Sequence, residues 1–365
     1  MSNLRYDDHE EALRDSVRAL LAAYSPWQRV LSRVDGDRSY DMALWARLAG
    51  HLGVTGLAVP EEHGGAGAGF REVAVVLEEL GRAVAPVPYL GAAVATRALL
   101  GCGRGDLLGP LAVGERVPVL VVPFATSPGV PAHPVAVADG PVLSGVVAGV
   151  ADALPAGLLL VPADDGLYVV DADAPGVTMR PVLSLDATRT LCDITFAVAP
   201  ARRIATGPVA GSAVTDAVTA GAALLASEQV GVAQWCLDTT VDYVRVRYQF
   251  GRPVGSFQAV KHRLADLWVQ VTEARAVARY AADCLATGDP DTPLAGSLAQ
   301  AYCGTVAVTA AEVCVQLHGG IGFTWEHPAH LYLKRAKSAA IAFGSADRHR
   351  TLLAGLVDLP APAPN

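Results

Sequence analysis

Arg247 and Phe250 stand where a long helix-like run gives way to Phe250-Gly-Arg-Pro-Val-Gly255. At such a break an arginine can fork onto a pyrophosphate, and an aromatic can pack on a flat ring system. The plainer use of the same arginine is to cap carbonyls at the helix C-terminus. Gly319, Gly320 and Gly322 end a second run and read as a C-terminal cap with close backbone approach. Gly64 to Gly69 is glycine-rich enough to invite a dinucleotide fingerprint. It follows a Pro-Glu-Glu-His turn and no clear strand entering a βαβ unit, so it reads as a loop.

Four histidines are candidates for acid–base work. His318 lies beside the Gly-Gly turn, where it could contact a cofactor or cap the helix. His327 and His330 flank Pro328 at a helix start, with no glutamate at metal-ligand spacing to both; His349 lies further on. The six cysteines (Cys102, Cys192, Cys236, Cys284, Cys303, Cys314) lie within apolar stretches and form no CxxC or CxxxH spacing. They read as buried free thiols, and no metal is assigned.

These residues need elements to position them. Tyr6 to Tyr24 sets Leu13, Val17, Leu20 and Leu21 on one helical face, with Asp7 and Asp8 as capping candidates. Further helical runs cover Tyr40 to Leu52, Arg71 to Val84 and Leu90 to Leu100. From about Arg116 the texture changes to short β-branched runs: Val117 to Pro123, Val135 to Ala138, Gly157 to Pro162, Gly166 to Asp171, Val177 to Pro181 and Cys192 to Val198. Gly, Pro, Asp and Ala turns separate them, which suits a small antiparallel sheet domain. Four long helical segments follow: Val214 to Tyr248, Phe257 to Ala286, Leu294 to Leu317 and Pro328 to Leu356. The expected architecture is α+β and mostly α: a helical domain over 1–114, an antiparallel β-domain over 115–206 and a four-helix bundle over 207–365. No strand–helix alternation supports a doubly wound parallel sheet.

The chain is 52% hydrophobic and 18% charged, which excludes disorder and implies extensive burial, including at subunit interfaces. A net charge of −8 argues against nucleic acid as a partner. The N-terminus is polar and lacks an apolar h-region, and no apolar stretch free of Gly, Pro and charge reads as a membrane span. A cytoplasmic protein is expected.

Three motifs in this layout resemble the acyl-CoA dehydrogenase family. They are Leu57-Ala-Val-Pro-Glu-Glu-His-Gly-Gly-Ala-Gly with Leu77-Glu-Glu-Leu-Gly-Arg; Arg245-Val-Arg-Tyr-Gln-Phe-Gly-Arg-Pro-Val-Gly-Ser-Phe-Gln-Ala-Val-Lys-His; and Gln316-Leu-His-Gly-Gly-Ile-Gly-Phe-Thr-Trp-Glu-His-Pro. Each is weak alone; all three in order are specific. The resemblance covers nearly the whole chain and is poorest across residues 101–150. It implies an FAD-dependent oxidoreductase of lipid metabolism that desaturates an acyl-CoA or another acyl thioester. It also implies that Arg247, Phe250, Gln258, Gln316, Gly319 and Gly320 reach the FAD of a neighbouring subunit. Ser345, in the place of the threonine of the family's Tyr-Glu-Gly-Thr motif, joins these cofactor contacts.

The same resemblance exposes losses. Family members remove an α-proton with a glutamate and pass the β-hydrogen to the flavin, so a carboxylate must be aimed at the α-carbon. The usual base position is Phe343, and the minority position is Gly221, followed by Ala222 where an arginine is usual. The stretches that hold a subunit's own flavin are not recognisable in Val121 to Gly129, beyond a remnant in Thr126, Ser127 and Gly129, or in Leu143 to Val150. Residues donated to a neighbour are thus kept while those serving the chain's own site are lost. This pattern is expected of the non-catalytic partner in a hetero-oligomer with a paralogous dehydrogenase subunit, as in α2β2 actinobacterial members acting on sterol side chains. One alternative is a self-sufficient enzyme, as a homo-oligomer, with a relocated base. Glu228 is then the candidate, two turns beyond Gly221 in an apolar helix, where desolvation would raise its pKa. The plainer reading of Glu228 is a polar group at a bundle or subunit contact, and Asp347 is a weaker candidate. The other alternative is a flavin-free scaffold.

Overall fold

Asp7 starts the first helix. Its carboxylate accepts from the His9 and Glu10 amides, and Glu10 reaches back to the Asp7 amide, closing a capping box. Asp8, the other capping candidate, is already in the first turn. The computed structural model describes residues 4–36, 39–129 and 135–360; Met1 to Asn3 of the polar N-terminus lie outside them. The first helices are α1 (Asp8–Tyr24), α2 (Trp27–Val34), α3 (Met42–Leu52), α4 (Phe70–Arg82), α5 (Tyr89–Gly101) and the short α6 (Gly109–Ala112). Helix α2 lies between expected runs; its eight residues are too few for a periodicity to stand out. The Gly64–Gly69 loop follows a 3₁₀ turn, Glu61–His63, and no strand enters it.

Eight strands follow: β1 (Pro118–Leu120), β2 (Val137–Asp139), β3 (Val142–Ala151), β4 (Leu158–Ala163), β5 (Gly166–Asp171), β6 (Val177–Val182), β7 (Leu191–Pro200) and β8 (Arg202–Thr206). They form two four-stranded sheets, ordered β1-β4-β5-β8 and β2-β3-β7-β6. Two corrections to the sequence reading arise here. Strand β3 was not expected because Ser144, Gly145 and Gly149 interrupt its apolar run, and its pairing with β7 shifts register at two places. The pairing is not wholly antiparallel: β1 runs parallel to β4. A parallel pair needs a long crossover, and between β1 and β4 the chain contributes β2 and β3 to the other sheet.

The C-terminal part comprises α7 (Gly207–Val246), a hairpin of β9 (Tyr248–Gln249) and β10 (Arg252–Pro253), α8 (Gln258–Thr287), α9 (Thr292–His318), α10 (Ala329–Ala339) and α11 (Ala346–Leu356). The single last helix expected over Pro328 to Leu356 is therefore two. The break falls at Phe343 (φ 52°) and Gly344 (φ 104°). A Cβ at Gly344 would lie 2.7 Å from Ser127 Oγ, so only glycine fits there.

Helix α7 is the spine. A Cβ at Gly231 would sit 1.9 Å from the Glu78 carbonyl, and one at Gly81 2.1 Å from that of Glu228, so α4 and α7 cross backbone to backbone. By length and composition α7 and residues Thr292–Phe323 could pass for membrane spans. Most of each apolar window is buried against the rest of the fold, which accounts for its apolarity.

Candidate functional site

The breaks singled out in the sequence meet on one exposed face. Helix α7 ends as the Arg247 amide bonds the Tyr243 carbonyl at 2.9 Å, and the Val254 amide returns to the Arg247 carbonyl at 2.8 Å. Between them the β9–β10 hairpin lifts Phe250 to 91% exposure with φ 53°, a conformation L-residues disfavour. Arg252 lies over the Phe257 ring at 3.8 Å, and Phe257 stands edge-on to Phe250. Arg247 is exposed, and among the described residues its guanidinium meets neither a carboxylate nor a carbonyl. The helix-capping use of that arginine therefore has no partner here. Gln258 is exposed at the start of α8, as are Gln316, Gly319 and Gly320 at the end of α9. A Cβ at Gly319 or Gly320 would meet nothing within 4 Å, so that backbone is open to a ligand. Val246, Tyr248, Phe323 and Trp325 are exposed nearby, more large apolar surface than a lone chain usually leaves uncovered.

The segments are joined through His318. Its ring stacks on Tyr243 (4.3 Å between centroids) and lies 4.2 Å from His327. Nδ1 is 2.7 Å from the Cys314 carbonyl, so it carries the hydrogen and donates it to the last turn of α9. Burial pushes the His318 pKa down, but the Cys314 thiol beside it outweighs that and raises it. His327 is held down at about 4 by burial and by His318 and His330. Buried His349 has Nε2 2.9 Å from the Phe343 carbonyl, pinning the turn before α11. Among the described residues no three His, Cys, Asp or Glu side chains converge as a metal site would require.

Inside the fold, Gly221 and Phe343 meet one another. A Cβ at Gly221 would lie 2.6 Å from the Phe343 ring. Phe343 stands edge-on to Phe124 at 5.5 Å, and its amide bonds the Phe124 carbonyl at 2.8 Å. Phe124 belongs to the Val121–Gly129 stretch, of which Ser127 packs on Gly344 and Gly129 on Leu352. What is left among Leu90, Val94, Val119, Phe124, Asp152 and Phe343 is a cavity of about 30 Å³. That is room for about one water, whereas ligand pockets run to roughly 300 Å³ or more. Ser345 sits on the exposed side of this turn, its hydroxyl accepting from the Arg348 amide as the cap of α11.

Glu228 requires a correction. It is fully buried, but its carboxylate is gripped by Arg189 (2.6 and 3.2 Å) and by Arg335 Nε (2.8 Å). Burial alone would raise its pKa; Arg189 and Arg335 together outweigh burial and hold it at about 2. The sequence reading had only the burial. Arg335 also reaches Thr188 and Asp186, while Arg189 lies 3.7 Å from Asp152, whose carboxylate accepts from Tyr40 and the Gly91 amide. This cluster joins all three parts of the chain. Arg189 and Arg335 carry no signal in the sequence: Arg189 lies in a loop, and Arg335 shares its helix with Lys334 and Lys337. Asp347 pairs with Arg350 on the surface.

Two family models match the chain: "Acyl-CoA dehydrogenase, N-terminal domain" over residues 7–105 and "Acyl-CoA dehydrogenase, C-terminal domain" over residues 211–356. The chain is 36% identical over 337 residues to acyl-CoA dehydrogenase IpdE2 of Mycolicibacterium smegmatis, covering 92% of this chain and 95% of that protein. Among solved structures it is similar to a variant of the Tcur3481–Tcur3483 steroid ACAD (32% identity, TM-score 0.85, 96% and 98% of the two chains). It is also similar to the ChsE4–ChsE5 complex of Mycobacterium tuberculosis (26% identity, TM-score 0.87, 99% and 100%).

Proposed function

The chain belongs to the acyl-CoA dehydrogenase family, and we propose that it serves as the partner subunit of a heteromeric, FAD-dependent member, completing the FAD site of a paralogous chain. The observation that carries this is the Phe343 ring packed into the space at Gly221 and against Phe124, set against the open outward face. On that face the residues fit the cofactor: an unpaired guanidinium at Arg247, an exposed ring at Phe250 and uncovered backbone at Gly319 and Gly320. Arg247 would fork onto the diphosphate, Phe250 would pack on a ring, and the glycines would admit close approach. The cavity left beside Phe343 and Phe124, about 30 Å³, holds neither a flavin nor an acyl chain. When bound, FAD supplies the hydride acceptor for α,β-desaturation of an acyl thioester. The proton-abstracting carboxylate must then come from the partner, because Phe343 and Gly221 cannot take a proton. Two similar solved structures name two polypeptides each, ChsE4 with ChsE5 and Tcur3481 with Tcur3483, which supports the heteromeric reading. A carboxylate held by two arginines is a poor base for a weakly acidic α-carbon, which weighs against Glu228 as the base of a self-sufficient enzyme.

Co-expression with a paralogous dehydrogenase chain, followed by native mass and flavin content, tests the proposal. One FAD per two unlike chains is expected. One FAD per chain in a homo-oligomer would overturn it, and no flavin in any assembly would favour the scaffold.

A further inference from the structure

We infer that His318 is a positioning residue for the flavin nucleotide of the partner, acting by tying the two outward segments together; this rests on the partner-subunit reading. The two segments come from different helices. The hairpin with Arg247 and Phe250 leaves α7, and the Gly319–Gly320 turn leaves α9. Tyr243 lies one turn before Arg247 and gives its carbonyl to the Arg247 amide, while His318 immediately precedes Gly319. The Tyr243–His318 stack at 4.3 Å is therefore a direct side-chain link between the roots of both segments. It is supported from behind. His327 lies 4.2 Å from the imidazole, and Trp235 lies 6.3 Å from His327. Trp235 is stacked at 3.5 Å on Tyr332, which is buried and anchored to the Arg82 carbonyl.

The imidazole also carries a cost that packing alone does not explain. Among the described residues its buried Nε2 has no hydrogen-bond partner, and His318 is only 3% exposed. Nδ1 anchors the ring to α9, so helix capping and stacking are two separable roles. A phenyl ring keeps the stack and loses the hydrogen bond. An asparagine keeps a donor and loses the stack. Positioning through the stack predicts that phenylalanine substitutes and asparagine does not.

The isolated chain tests the link without any cofactor. Hydrogen exchange is compared between wild type, H318A, H318F and H318N. Alanine and asparagine should speed the amides of residues 247–254 and 319–323 together by about tenfold, with phenylalanine close to wild type. In the co-purified complex, H318A and H318N should weaken FAD binding by about tenfold and shift the visible flavin band, with native mass unchanged and H318F near wild type. Exchange confined to 319–323, or an asparagine variant that matches wild type, would reduce His318 to a helix cap and overturn the inference. A wild-type complex that takes up no FAD would instead defeat the functional reading, and the exchange data would still decide the link.

Discussion

Replacing Gly221 by alanine should reverse the usual helix rule. In a helix interior that change ordinarily stabilises by about 1 kcal/mol. Here the new methyl would lie 2.6 Å from the Phe343 ring, so a net loss of about 1–3 kcal/mol is expected from overpacking. In an F343A background the loss should vanish, and a double-mutant cycle by urea unfolding would measure the coupling. Additive effects would mean that the two positions do not plug one another. Glu228 offers a second test. E228Q leaves Arg189 and Arg335 buried beside a neutral amide, which should cost about 3–5 kcal/mol at neutral pH. The wild-type carboxyl sits at about 2, below its ordinary 4.5. Its stabilising contribution is therefore fully present above about pH 4.5 and is lost as pH falls toward about 2. The wild-type unfolding midpoint should drop across that window, and the E228Q midpoint should drop less. Parallel curves would count against the clamp.

Among the elements, the β9–β10 hairpin carries the clearest consequence. Phe250 holds φ 53° while 91% exposed, a strained conformation with little return from packing inside this chain. F250G should leave the urea midpoint of the isolated chain unchanged or slightly higher, since glycine adopts that φ freely. The same change should weaken assembly with the partner by at least about tenfold, as loss of an aromatic anchor does at an interface. Titration calorimetry reads the second effect; equal affinity would remove Phe250 from the contact. The break between α10 and α11 teaches a related lesson. Helical periodicity runs through Pro328 to Leu356, and only Gly344 hints at an interruption. What stops the helix is the Phe124 carbonyl capturing the Phe343 amide and Ser127 filling the space beside Gly344. Both partners are more than 200 residues away in sequence, beyond any local pattern.

For the whole molecule, the packing of Phe343 against Gly221 and Phe124 predicts that the isolated chain is stable without flavin. Adding FAD should leave its melting temperature where it was, whereas binding at 100 times the Kd would add about 2.7 kcal/mol. A thermal shift on FAD addition to the chain alone would reopen the autonomous reading. Much of this could be read before any coordinates. Helix periodicity and the change of texture near Arg116 marked the helical and the strand-forming stretches, and the residues around Arg247 and Gln316 carried the family. Local spacing suffices for these because a helix face or a turn is decided within a few residues. That Phe343 and Gly221 cannot ionise was legible as well, whatever surrounds them. Tertiary structure alone decided what became of those positions: Gly221, Phe124 and Phe343 interlock only when α7, the loop after β1 and the turn before α11 are brought together. It also decided the sign of the Glu228 shift, because burial raises a carboxyl pKa until two arginines from distant segments arrive to lower it.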